Sequence, residues 1–254
     1  MTTELPDRPL AEFMLCMKFA GLVKEQPFSA LLRSLGWQDE PFESANVVIE
    51  DAWLATILGD AVTVIHREEN SGERLVVGEW GIGVIWNSKE YNGWKLCKSR
   101  FDQIVQAADK AYASRPATTL ALRVKDQFRF ADATQLGSLL KWPADPILGG
   151  LVDGWHGYRH ISNDDGSRLH LRVTGQGDVA EDSVVVGHII FDTWFSCPTD
   201  DVGLELDPPS NLHLNLDLLH RLSKGAFWDS LTENGQKRWL ALFDGDPFAT
   251  PTAP

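Results

Sequence analysis

Apolar residues at Phe101, Ile104, Val105, Ala108, Ala111 and Tyr112 recur at helical spacing, which predicts the longest helix over residues 94–114, stopped by Pro116. Upstream of it, residues 12–20 are rich in strand-forming side chains, and residues 27–37 follow with a helical pattern that ends at Gly36. Residues 61–67 (AVTVIHR) and 74–86 (RLVVGEWGIGVIW) flank Asn70-Ser71-Gly72 and read as a hairpin. After Pro116 the order begins again, with a long strand over 118–130, a helix over 132–141 and a Pro/Gly-rich break at 142–150. Strands return at 155–162 and 168–174, around the turn composition Asn163-Asp164-Asp165-Gly166. Residues 184–195 are almost continuously apolar, as expected of a central strand. Two helices close the chain: 214–231, with Leu218, Leu219, Leu222, Ala226 and Phe227 on one face, and 233–243, with Thr232 as its N-cap.

These elements predict an α+β fold: a largely antiparallel sheet, helices packed mainly on one side, and a C-terminal helix pair. Two halves, 1–116 and 117–245, are expected to pack as one unit, followed by a tail at 246–254. Each half reads strand, helix, strands, helix. The repetition admits an internal duplication, but no residue-level identity accompanies it, and such orders also recur by chance.

Composition narrows the function classes. In 254 residues, 43% hydrophobic and 23% charged positions are those of a globular protein, and a net charge of −13 argues against a chain that coats nucleic acid or a membrane surface. The beginning carries Glu4, Pro6, Asp7 and Arg8 where a secretory leader has a basic and then an apolar run, and the apolar segment 13–23 is interrupted by Lys18. A soluble cytoplasmic protein is expected. Cys16, Cys97 and Cys197 lack the close spacing of zinc sites or redox dithiols and read as small core residues. Of the ten tryptophans, Trp80, Trp86 and Trp228 abut polar segments and are expected to be exposed.

Three segments together resemble a known group: Tyr91-Asn92-Gly93-Trp94 before the long helix, the strand Leu122-Arg123-Val124-Lys125-Asp126-Gln127-Phe128, and the Leu216, Asp217, His220 helix followed by Phe227-Trp228 and Thr232-Glu233. They are similar to a sporadically distributed family of uncharacterised bacterial proteins, across about half of the chain. In that family the strand more commonly reads Arg-Tyr-x-Asn, from which Val124 and Asp126 or Gln127 depart. The resemblance implies a regulatory or phage-defence setting and carries over no active site.

Charge placement supplies the first candidate site. Residues 173–220 contain no Lys or Arg but nine carboxylates, and residues 34–66 contain none against six. Either these are solvated loops, or they form an acidic face that docks a basic protein partner. Within them Asp200, Asp201, Glu205 and Asp207, beside Gly203, Pro208 and Pro209, are the binding residues expected on an exposed loop.

The second candidate is the strand on which Arg123, Lys125, Gln127 and Arg129 alternate with apolar residues, so that Arg123, Lys125 and Arg129 share a face able to hold an anionic, phosphate-like or nucleic-acid-like ligand. Arg168, His170 and Arg172 alternate in the same manner and either join that face or face water. His156 and His160, four apart on a strand, stand about 13 Å from one another and cannot share a zinc ion. Gly78 to Gly83 does not fit a dinucleotide loop, and no nucleophile elbow, phosphate loop or His-Glu-x-x-His helix is present. The sequence therefore names no catalytic residue, metal or cofactor, and it favours binding over catalysis.

Overall fold

A computed structural model of the chain describes residues 10–21, 28–37, 42–67, 73–88, 91–111, 116–130, 138–141, 144–145, 150–151, 155–162, 168–179, 185–198, 203–204 and 209–239. At its centre β1 (Leu10–Phe19) and β6 (Ala117–Phe130) run antiparallel with Leu15 opposite Leu122. From β1 the sheet continues outward through β5 (Gly81–Asn87), β4 (Glu73–Gly78), β3 (Ala61–Arg67) and β2 (Phe42–Val48). From β6 it continues through β11 (Val185–Ser196), β10 (Arg168–Val179) and β9 (Trp155–Ser162). All of these pairings are antiparallel. A separate two-stranded ladder, β7 (Ala144–Asp145) and β8 (Gly150–Leu151), lies in the Pro/Gly-rich break.

The period of two along each strand sorts side chains between two unlike faces. On β6, Leu120, Leu122 and Phe128 pack toward the helices, as do Phe13 and Leu15 of β1 and Phe191 and Phe195 of β11. That face is covered by α1 (Phe28–Ser34), α3 (Trp94–Ala111), α4 (Pro209–Ser230) and α5 (Glu233–Trp239). Phe101 of α3 and Leu216 and Leu219 of α4 are fully buried there. The opposite face receives one short helix among the described residues, α2 (Ala52–Leu58), which packs Trp53, Ile57 and Leu58 against Met14, Cys16 and Ala121. The result is the α+β arrangement expected: an antiparallel sheet, helices mainly on one side and a closing helix pair. Thr232 caps α5 as expected, its Oγ1 accepting from Gly235 N at 3.3 Å.

Topology repeats across the β1–β6 junction. In each half the opening strand pairs with that half's last strand, the preceding strands follow as a meander, and a long helix then returns to the same face. One continuous sheet joins the halves. Among the described residues no helix is long and apolar enough to cross a membrane.

Several elements differ from the sequence reading. Residues 74–86 form two strands, not one, because Gly78 and Gly81 let the turn between them press against α2 and β1. Strand β2 and helix α2 were not anticipated: β2 is an edge strand whose residues 43–48 are all exposed, and α2 has only seven residues. Helix α4 starts at Pro209, five residues before the predicted 214, since proline suits the first turn of a helix, where its missing N–H costs nothing. Trp86 is buried against Phe13 and is not exposed, while Trp80 and Trp228 are half-buried. Residues 132–137 of the predicted helix and the tail at 246–254 lie outside the described residues.

Candidate functional site

Strand register assembles a polar face where the helices are absent. Arg123 on β6 stands opposite Asp192 on β11, which stands opposite Arg172 on β10, which stands opposite Tyr158 on β9. The next row is Ala121, Trp194, His170 and His160, and the one after it Thr119, Ser196, Arg168 and Ser162. Helix α2 closes the β6 end of this face with Asp51 and Trp53. The β9 end stays open, and Tyr158 (54% accessible), His160 and Arg168 are exposed.

An ion network anchors the closed end. The Asp192 carboxylate accepts from Arg123 Nε at 2.6 Å and Nη2 at 3.1 Å, and from Arg172 Nε at 2.9 Å and Nη2 at 2.7 Å. Asp51 accepts from Arg123 Nη2 at 3.0 Å and from Arg172 Nη2 at 3.3 Å, while its Oδ1 also caps α2 through the Trp53 and Leu54 amides. Both guanidinium groups lie over the Trp53 ring, at 4.8 and 5.3 Å. Burial alone would raise the Asp51 pKa, but the Arg123 charge, the Leu54 amide and the Arg172 charge outweigh it and hold the carboxyl below its usual value. Burial likewise works against the charge on Arg123, and Asp192 with Asp51 more than restores it. Nearby Cys16 is fully buried, which pushes its thiol pKa up to about 12 and leaves it inert.

Next to this network the rings of Trp194 and His170 stack at 4.7 Å and an interplanar angle of 6°. Tyr158 and His160 complete a patch of four rings, with Tyr158 lying 6.0 Å from Trp194 and 5.9 Å from His160. His170 Nδ1 is hydrogen-bonded to Tyr158 Oη, and its Nε2 to Ser196 Oγ at 2.8 Å. Burial, then the neighbouring His160 and Arg168, lower the His170 pKa from 6.5 to about 4, so the imidazole is neutral at physiological pH.

The sign of the pH dependence follows from linkage. Between pH 6.5 and about 4 the unfolded chain takes up a proton at His170 that the folded chain refuses, so stability falls on acidification through that window. Asp51, with its pKa depressed, contributes stability above its ordinary value of 3.8 that is lost as pH falls through its lower, folded value. Urea unfolding across the upper window should show this decline, and a His170→Gln variant should lose that part of the slope. An unchanged slope in the variant would assign it to other groups.

The residues singled out from sequence are distributed unevenly. Arg123 is only 5% exposed and is committed to Asp192 and Asp51, so it does not present its charge to a ligand. Lys125 is half-buried and stands across from Glu12 of β1, and the side chain of Arg129 lies outside the described residues. Arg168, His170 and Arg172 do share the face of Arg123, joined to it through β11. Asp200, Asp201, Glu205 and Asp207 all lie outside the described residues. Two other carboxylates of the base-free stretch are used internally, Asp192 as above and Asp217 in bonds from Trp94 Nε1 at 2.7 Å and Lys98 Nζ at 2.8 Å.

Trp53, Tyr158 and Ser196 were not identified from sequence, and Asp51 counted only as one carboxylate of the acidic stretch 34–66, although Asp51 before an apolar turn and Gly59 after it are a readable cap pair. Among the described residues no three His, Cys, Asp or Glu side chains gather as a metal site. On the helix side, a separate hollow of about 290 Å³ between β4, β5 and α3 is spanned by the Arg100–Glu73 pair at 2.8 Å. Compared with known protein families and with curated proteins, the chain matches none.

Proposed function

We propose that the chain is a binding protein for a small ligand that combines a planar ring with an anionic group, as a nucleotide does, seated on the open face of β9, β10 and β11. The observation that carries this reading is the exposed pair of rings, Tyr158 and His160, on the same sheet face as the exposed Arg168, which forms no ion pair among the described residues. Stacking on such a ring is worth about 1–3 kcal/mol, and the guanidinium adds a fork of donors suited to phosphate or carboxylate. Register sets the spacing: Arg168 is one strand and one row from His160, within reach of a ligand that lies on the rings. Arg172, at the other side of the patch, is committed to Asp192 and Asp51, so Arg168 carries the charge that meets the ligand. Because the whole chain carries −13, such a site draws its ligand by local and not global potential.

The test compares a nucleoside monophosphate, the bare nucleoside and inorganic phosphate by thermal shift. Saturation at about one hundred times Kd stabilises the fold by about 2.7 kcal/mol. The monophosphate should raise the melting temperature more than either fragment, Arg168→Ala should abolish the shift, and Tyr158→Ala should weaken binding at least tenfold. No shift with the monophosphate, or a full shift in Arg168→Ala, would retire the reading.

A further inference from the structure

We propose that Ser196, His170 and Tyr158 form a nucleophile, base and positioning group that hydrolyse small carboxylic esters through an acyl-Ser196 intermediate. The inference goes beyond the binding reading and does not depend on it. Its geometric basis is a Ser Oγ at 2.8 Å from His170 Nε2, with the other imidazole nitrogen hydrogen-bonded to a tyrosine hydroxyl. A weak nucleophile becomes competent when a base lies within hydrogen-bond reach and a third group orients that base. All three residues sit on adjacent strands of one sheet, and the Trp194 ring stacked on the imidazole holds its plane.

With the ring proton on Nδ1 donated to Tyr158 Oη, Nε2 accepts from Ser196 Oγ–H, which is the tautomer a general base needs. The groups facing the imidazole are Tyr158 and His160 from β9, Arg168 and Arg172 from β10, and Trp194, Ser196 and Asp192 from β11. The low His170 pKa keeps that base unprotonated across the neutral range and makes it a weaker proton acceptor than a free imidazole, so its role as base rests on the geometry. Arg168 stands directly opposite Ser196 in the register, and residues so paired have Cβ atoms about 4.5–5.5 Å apart, so a positive charge lies on the strand next to the nucleophile.

In the acylation step the Ser196 Oγ–H proton passes to Nε2 as the Oγ–C bond forms on the ester carbonyl carbon. The C–O bond to the alcohol then breaks and the alcohol leaves with the proton from Nε2. Water repeats the sequence on the acyl-serine, releasing the acid and restoring Oγ–H. Ser196 and His170 are the catalytic residues, and Tyr158 is a positioning residue.

The experiment treats the full chain with a neutral alkyl fluorophosphonate, in which Oγ–P forms, P–F breaks and fluoride leaves, and follows the adduct by intact mass and peptide mapping. One adduct on Ser196 is expected, together with p-nitrophenyl acetate hydrolysis that Ser196→Ala abolishes. His170→Gln should slow labelling by about 100-fold or more, the lower range for loss of a general base. Tyr158→Phe should slow it less and also move the acid limb of the pH–rate profile, which a merely structural role would leave in place. Should His170→Gln fail to fold, the wild-type profile decides: labelling must fall about tenfold per pH unit below the His170 pKa, in step with the loss of free base. No adduct on Ser196, equal rates in a folded His170→Gln, or a flat profile would overturn the proposal. Ligand stabilisation that persists in Ser196→Ala would separate this outcome from that of the binding reading.

Discussion

Replacing Asp192 with alanine should cost about 3–5 kcal/mol of unfolding free energy, the range for removing one partner of a buried ion pair. Asp192 has no accessible surface and takes four hydrogen bonds from two arginines. Without it, Arg123 keeps its charge in a site only 5% exposed, where Asp51 offers one bond at 3.0 Å and the Trp53 face a weaker attraction. Arg172 suffers less, because a quarter of its side chain reaches water. Removing the stranded charge as well is the informative companion. A buried ion pair exchanged for apolar groups of similar volume is often close to neutral, so Arg123→Met in the Asp192→Ala background should recover most of the loss. Urea unfolding of the two single variants and the double variant measures the coupling. If Asp192→Ala alone costs under about 1 kcal/mol, water reaches Arg123 and the network is not the buried anchor described above.

The network also explains what could be read in the sequence and what could not. Alternation along β6 announced a strand with Arg123 and Lys125 on one side, and the same pattern gave Arg168, His170 and Arg172 on another. Alternation is local, with a period of two, so one chain segment suffices to see it. Which strand lies between those two rows is a property of pairing, and nothing in either segment names β11. Asp192 therefore counted as one more carboxylate of an acidic stretch, although its charge is spent on the two basic rows at either side. Charge tallies along a sequence are blind to such pairing. Helix α2 escaped for a different reason: seven residues give about two turns, too few for a helical period to stand out, and only the Asp51 cap and Gly59 mark its ends. Trp86 misled because polar Asn87 and Ser88 follow it, whereas the strand direction turns its own side chain into the helix-side core. Ser196 and His170, 26 residues apart on neighbouring strands, meet through register and form no sequence motif.

Gly78→Ala should be the most damaging of the small-to-large changes, with a loss of about 3 kcal/mol, at the upper end for overpacking. A Cβ at that position would stand 1.9 Å from the Leu58 carbonyl oxygen and 2.7 Å from its carbon. These are backbone atoms at the C-terminus of α2, so no rotamer change relieves the clash and the helix itself must move. Gly81 marks the same close approach from the other side of the turn, with Met17 O at 2.3 Å and Ile57 O at 2.8 Å of its would-be Cβ. The consequence extends to the open face, because α2 carries Asp51 and Trp53 onto Arg123 and Arg172. Displacing the helix strips both from the arginines, and part of the cost should therefore overlap with that of Asp51→Ala when the two substitutions are combined. Gly157→Ala is the control: it lies on the exposed edge strand β9 with nothing within 4 Å of a new Cβ, and its effect should stay within about 0.5 kcal/mol. Additive losses in Gly78→Ala with Asp51→Ala would show that the helix gives way only at its far end and leaves the arginine network in place.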